Sequence, residues 1–188
     1  MSRPPEWPDT LRVQAAEGWL SLRNWREAKA ELDKITDEKV RAHPIILKAY
    51  ADVWEVSEDH AALARYLEVL ILDEPDVVDH RLRLNAALLA AARTQEALER
   101  IDRDLKDYPN HPSLLFKRAV TLCMLDKLEE AEWSLVFLFT LENGKYEKTY
   151  LDIALDWPQL EPLRSVLQAW KRELDEKSGG AAPPEATT

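Results

Sequence analysis

The sequence predicts an all-α protein in which antiparallel helix pairs stack into a solenoid, and three observations lead to this fold class. The residues between 9 and 177 are rich in Ala, Leu, Glu, Lys and Arg, which favour helices. Runs that alternate apolar and polar residues, which would indicate strands, are nearly absent. A charged phrase that leads into an apolar helix recurs four times, for example "RNWREAKAEL" at 23–32 and "DKLEEAEWSL" at 126–135.

The recurrence has a regular period. When the alanine of the phrase is taken as a marker, successive markers are 34, 35 and 34 residues apart (62−28, 97−62 and 131−97). Prolines occur at the junctions between units, and proline is tolerated at a helix start but not in a helix interior. One helical hairpin cannot bury its apolar face alone, so the units are expected to stack. The markers are Ala28, Ala62, Ala97 and Ala131.

This period predicts where the chain divides. We expect a flexible lead at 1–8, which carries three prolines, and a disordered tail at 178–188, which is small, polar and proline-bearing. Residues 9–143 form four repeats, and residues 144–177 form a divergent fifth unit with a capping helix. The expected repeats are 9–42, 43–77, 78–111 and 112–143.

The segment after the fourth repeat is expected to cover the last apolar flank of the stack. "KYEKTYLDIAL" at 145–155 predicts a helix, two prolines interrupt the chain, and an apolar stripe then predicts a helix over 163–176. With this helix as a cap, the very apolar "WSLVFLFTL" of the fourth repeat should be sandwiched between its partner helix and the cap. The alternative is that helix 163–176 folds back into the groove of the array as a built-in ligand.

The four repeats resemble the tetratricopeptide repeat family. That family has a 34-residue repeat of two helices, with small residues at the helix contacts and a terminal proline. The best matches are "AEGWLSLRNWREAKAEL" and "DYPNHPSLLFKRAVTLCMLDKLEEAEWSL", and the resemblance covers about residues 9–143. It implies a right-handed superhelical solenoid whose first helices line a concave face.

Two positions depart from the family pattern. The small residue of the first helix is Ala16 and Ala119 in two repeats, but the alignment places Tyr50 and Asn85 there in the others. A second small residue, near the end of the second helix, is replaced in every repeat. The replacements are Ile35, Val69, Asp104 and Leu138.

Composition and chemistry-bearing residues favour a protein without catalytic function. The single cysteine, Cys123, excludes an internal disulfide and a cysteine-built zinc site, and is typical of a reducing, cytoplasmic setting. No pair of histidines has metal-ligand spacing, and His43 and His111 are expected at helix junctions. We expect no enzyme activity, no cofactor and no metal. The formal charge of −10 and the short apolar runs argue against nucleic acid and membrane partners.

The resemblance implies that ligands bind on the concave face, as peptides or helices of other proteins. Aligning the repeats on their alanines places an apolar stripe there, flanked by a basic row of Lys48, Arg83 and Lys117. The carboxylate clamp of the family is absent, because its Lys and Asn positions in the first repeat hold Val13 and Glu17. The predicted ligand-binding residues are Leu47, Lys48, Ala51, Trp54, Leu82, Arg83, Ala86, Phe116, Lys117 and Val120.

The leading hypothesis is therefore a protein-interaction module, an adaptor, scaffold or chaperone-like protein, acting as a monomer or a homodimer. Its partner would carry apolar anchors with acidic neighbours. Two alternatives remain open: a structural homo-oligomer without a foreign ligand, and a groove occupied by the chain's own C-terminal helix. The basic row can equally be a solvated surface, and the apolar stripe can be packing between adjacent repeats.

Overall fold

The computed structural model of the protein describes residues 3–179, and over this range the chain is all-α. These residues contain no β-strand, so the predicted all-α class is confirmed. Eleven helices in this range pack mainly against their neighbours in the chain. Their bounds are α1 Trp7–Ser21, α2 Trp25–Asp33, α3 Glu38–Arg41, α4 Pro44–Val56, α5 His60–Asp73, α6 Val78–Ala90, α7 Thr94–Asp107, α8 Pro112–Met124, α9 Leu128–Thr140, α10 Glu147–Asp156 and α11 Arg164–Gly179.

The ends of the chain differ slightly from the expected boundaries. Helix α1 begins at Trp7, inside the segment expected to be a flexible lead. Helix α11 extends to Gly179, and the rest of the expected tail, residues 180–188, lies outside the described residues. The two-proline segment Pro158–Leu163 forms a 3₁₀ turn between α10 and α11.

Local sequence explains where several helices begin. Pro44 and Pro112 occupy the first position of α4 and α8, where the missing N–H costs no hydrogen bond. Their preceding residues, His43 and His111, are the N-caps, as the expected junction role requires. At the start of α5, the Asp59 side chain accepts a hydrogen bond from the backbone N–H of Ala62 at 2.9 Å.

The chain divides into two compact units, Met1–Ala97 and Leu98–Thr188. In the first unit α1 pairs with α2, α4 pairs with α5, and α6 packs against α5. Helix α4 also contacts both helices of the first pair. The buried apolar residues of these helices form two clusters, one with Leu32 and Val53 and the other with Leu67, and the partly buried Trp54 and Tyr66 pack against both.

In the second unit α8 pairs with α9, and α10 pairs with α11. One core joins these helices, and it includes Leu122, Leu135, Leu151 and Leu167. The part of α7 in this unit contributes Leu98 to the same core. The 3₁₀ turn Pro158–Leu163 packs against α8 as well as against α11.

One backbone feature recurs in the turn that follows α1, α4, α6 and α8. In each of these turns one residue has a positive φ of 56° to 60°. This is the left-handed region, which non-glycine residues rarely adopt. The next residue donates its N–H to a carbonyl five residues back, at 2.8 to 3.1 Å, which closes the helix in a Schellman motif. The left-handed residues are Arg23, Glu58, Ala92 and Asp126.

These turns correct the alignment of the second repeat. The left-handed residues are 35, 34 and 34 residues apart (58−23, 92−58 and 126−92), so the extra residue lies between the first and second turns, where α3 is inserted. The residue five positions after each left-handed residue donates its N–H to the carbonyl of the residue that precedes the second helix. In the second repeat that donor is Leu63. The predicted marker Ala62 is wrong by one residue. The equivalent positions are Ala28, Leu63, Ala97 and Ala131.

The corrected alignment makes the buried positions more regular. The small residue of the first helix is now Ala51 in the second repeat, not Tyr50, and Asn85 alone departs from alanine. The side-chain amide of Asn85 donates a hydrogen bond to the carbonyl of Ala97 at 3.4 Å. Ala97 is the residue at the helix contact position of this repeat. The second-helix position assigned to the exposed Val69 belongs instead to Leu70, which is fully buried.

The corrected register can be tested with two adjacent truncations. Leu70→Ala removes a fully buried side chain and should lower the free energy of unfolding by about 2–5 kcal/mol. Val69→Ala removes a side chain that is 43% exposed and should cost less than about 1 kcal/mol. Urea unfolding of both variants measures the difference, and a larger loss for Val69→Ala would contradict the register.

Candidate functional site

The first candidate surface is formed by α1, α4 and α6 of the first unit. Helix α1 contacts α4, and Arg83 on α6 reaches across to two carboxylates on α4. Side chains from adjacent helices therefore share one face of this unit. We call it the first-helix face.

The corrected alignment changes which α4 residues belong to this face. The predicted residues Leu47 and Ala51 are buried in the core, and Trp54 is half-buried against Tyr66 of α5. One residue later in each case, α4 carries a stripe of partly exposed charged side chains instead. These are Lys48, Asp52 and Glu55.

Lys48 belongs to a small charged network. Its Nζ lies 3.0 Å from a carboxylate oxygen of Glu74, the residue that ends α5. The same carboxylate accepts a hydrogen bond from Nε2 of the buried His80 at 2.8 Å. The hydrogen bond from His80, and then that from Lys48, holds the pKa of Glu74 below its ordinary value of 4.5. Much of the charge of Lys48 is therefore balanced within the protein.

Arg83 is balanced as well. Its guanidinium donates to Asp52 at 2.7 Å and to Glu55 at 2.5 Å. Burial acts to lower the pKa of Arg83, but the hydrogen bond to Asp52 and the charges of both carboxylates outweigh it and raise the pKa. The ion pairs join α4 to α6, and their carboxylates remain about half exposed.

Helix α6 adds an apolar stripe beside these charges. Leu82 and Leu89 are half-buried and Ala86 is exposed, and their spacing of four and three residues places them on one side of the helix. Leu82 and Ala86 are the predicted apolar site residues that the structure leaves accessible on this helix. The first-helix face thus combines an apolar stripe with paired charges of both signs.

The predicted site residues of the second unit are covered by the chain itself. Phe116 and Val120 on α8 are buried in the core. The ring of Phe116 packs against Tyr150 of α10, with centroids 5.5 Å apart, and against Trp157, with centroids 5.4 Å apart. Helix α10 and the residue after it therefore cover this side of α8.

Lys117 is partly covered by the same segment. Its Nζ lies 4.9 Å from the ring centroid of Trp157, a cation–π contact, and burial lowers the pKa of Lys117. The predicted alignment of Lys117 with Arg83 is correct, but Lys48 does not share their position, which belongs to Ala49. The expected basic row of three equivalent residues is therefore wrong.

Helix α11 packs on the other side of the fourth hairpin. Its Trp170 meets Phe139 of α9 edge to face, with ring centroids 5.7 Å apart. The sandwich expected for α9 is only partly formed, however, because Trp133 and Phe137 remain exposed. Apolar content alone gave no signal of this exposure, since residues 133–140 have apolar side chains on every side of the helix.

The remaining candidates for chemistry are Cys123 and possible metal ligands. Cys123 is buried, and burial raises the pKa of its thiol to about 11, so the thiol stays protonated near neutral pH. Among residues 3–179 no group of three or more His, Cys, Asp or Glu side chains is placed to hold a metal ion.

No protein-family model matches this sequence, and a search of curated proteins gave no match. Within the described part of the chain, no helix combines the length and apolar character that crossing a membrane requires.

The network around Glu74 predicts a pH-dependent contribution to stability. Because the folded-state pKa of Glu74 is lowered, its contribution is present above its ordinary value and is lost as the pH falls through the lowered pKa. Glu74→Gln should therefore lower the free energy of unfolding by about 1 kcal/mol at pH 7. The difference from wild type should disappear in acid.

The matched control is Asp76→Asn, which changes an exposed carboxyl two residues away that has no side-chain partner in the described range. Urea unfolding from pH 7 to pH 3 measures both variants. A constant difference between Glu74→Gln and wild type across this range would contradict the assignment.

Proposed function

We propose that this chain is a tetratricopeptide-like protein-interaction module without catalytic function, which binds a peptide or helix of a partner protein on the first-helix face. In this proposal about four repeats form a right-handed solenoid, and α10 and α11 form its cap. The helix pairs, the recurring left-handed turns and the buried small residues support the repeat assignment.

The observation that carries the binding proposal is the composition of the first-helix face. Leu82, Ala86 and Leu89 present an apolar stripe that neighbouring helices leave uncovered in part. The paired charges of Arg83 and Asp52 lie next to it. Apolar side chains of a ligand would cover the stripe. Polar groups beside those side chains would form hydrogen bonds or ion pairs with the exposed charged residues.

The sequence predicts a ligand with apolar anchors and acidic neighbours. The ion pairs of Arg83 change the role expected for the acidic groups. An acidic ligand group would compete with Asp52 and Glu55 for Arg83, so it would add specificity more than affinity. The burial of Phe116 and Lys117 confines the proposed site to the first unit.

A matched pair of substitutions tests this proposal. Ala86→Arg places a long charged side chain on the exposed apolar stripe, and it should abolish capture of the partner because it obstructs the anchors. Ala61→Arg makes the same change at an exposed alanine of α5 and should leave capture unchanged. Affinity capture from the native cell extract, with helicity checked by circular dichroism, compares the two proteins.

The decisive result is a partner that is lost with Ala86→Arg and retained with Ala61→Arg. If both folded variants capture the same proteins as wild type, the first-helix face is not the binding site.

A further inference from the structure

A separate surface lies along α9, on the second helix of the fourth hairpin. Trp133 is 71% exposed and Phe137 is 46% exposed, which is unusual for side chains of this size. On the same helix, a cavity of about 420 Å³ opens between α9, the start of α10 and α11, with Phe139 and Trp170 in its wall. A shallower depression of about 200 Å³ adjoins Trp133. Val136 lines both spaces, and we call the two together the α9 groove.

All charged side chains that line the α9 groove are acidic. Glu129 and Glu132 line the depression, and Glu147 lines the cavity. In the described part of the chain none of these three carboxylates has an ion pair or a side-chain hydrogen bond, and no Lys or Arg lines either space. By contrast, Glu130 on the same helix is paired with Arg118 and Lys127.

We propose that the α9 groove binds a basic amphipathic helix of a partner protein. An apolar side chain of that helix would enter the cavity that Phe139 and Trp170 line, and the volume of this cavity lies in the range of small ligand pockets. Its Lys or Arg residues would pair with Glu132 and Glu147 and lie over the exposed ring of Trp133.

The size and charge of the groove favour this occupant over others. From Glu129 to Thr140 the groove follows α9 for about 17 Å, which matches about three turns of a bound helix. A second copy of this chain would bring a protein of net charge −10 against unpaired carboxylates, and like charges in an interface are unfavourable. The same carboxylates repel an anionic lipid surface.

This inference goes beyond the proposed function, because it assigns a second surface on a different unit. The two can therefore fail independently. Ala86→Arg should leave binding at the α9 groove unchanged.

The test uses two labelled synthetic peptides of about fourteen residues with leucines at helical spacing. One carries Lys at every polar position, and the other carries Glu. The Lys peptide should bind the full-length protein in a fluorescence anisotropy titration, and added salt should weaken that binding. The Glu peptide should not bind.

Matched variants locate the site. Trp133→Ala should weaken binding of the Lys peptide by about 10-fold or more, because it removes an exposed aromatic anchor. Trp7→Ala removes an equally exposed tryptophan from α1 and should change binding by less than about 2-fold. Glu132→Gln should weaken binding, and Glu17→Gln on α1 should not.

Two outcomes would overturn the proposal. One is equal binding of the Lys peptide by Trp133→Ala and Trp7→Ala. The other is a wild-type dimer in sedimentation that Trp133→Ala converts to a monomer, because the occupant would then be a second copy of the chain.

Discussion

The constraint on which this structure depends is the left-handed turn that ends the first helix of each hairpin. A non-glycine residue in this conformation costs about 1–2 kcal/mol, and four such residues recur at nearly equal intervals. The cost is offset because the turn satisfies the last carbonyls of the first helix and leads directly into the second helix. Once the turn residue is set, the helix contact five residues later and the buried positions beyond it follow.

The positions that surround each turn show how far this constraint extends. In the second helix of each hairpin, the residue four positions after the helix contact is a fully buried aliphatic side chain. These residues are Leu32, Leu67, Ile101 and Leu135. Ten residues before the turn, the first helices place Val13, Lys48, Leu82 and Phe116 at one position. An insertion or deletion of one residue in the turn would therefore rotate the second helix by about 100° relative to the first and move its buried residues out of the contact.

Sequence alone predicted the helix pairs because their signals are local. Prolines at helix starts, alanines at contacts and a period near 34 residues need no tertiary information. The register of the second hairpin failed because "HAALA" offers three alanines within four residues, and the true contact is Leu63. The local signal was ambiguous, and only the turn geometry distinguishes the alternatives.

The candidate site was less predictable because exposure and ion pairing depend on neighbours that are distant in sequence. Lys48 is balanced by Glu74 at the end of α5, and Lys117 is partly covered by Trp157 after α10. Neither partner could be assigned from periodicity. The exposed Trp133 was missed for a different reason: residues 133–140 are apolar on every side of α9, and such a segment is expected to be buried.

The most direct test of the turn compares two substitutions at one position, Glu58→Gly and Glu58→Ala. If Glu58 is left-handed, glycine removes a steric penalty that alanine keeps, so the glycine variant should have the higher free energy of unfolding, by about 1 kcal/mol. If the residue instead continues the right-handed helix, alanine should be the more stable by about 0.5–1 kcal/mol. Urea unfolding gives the sign, and a more stable alanine variant would contradict the turn that defines these hairpins.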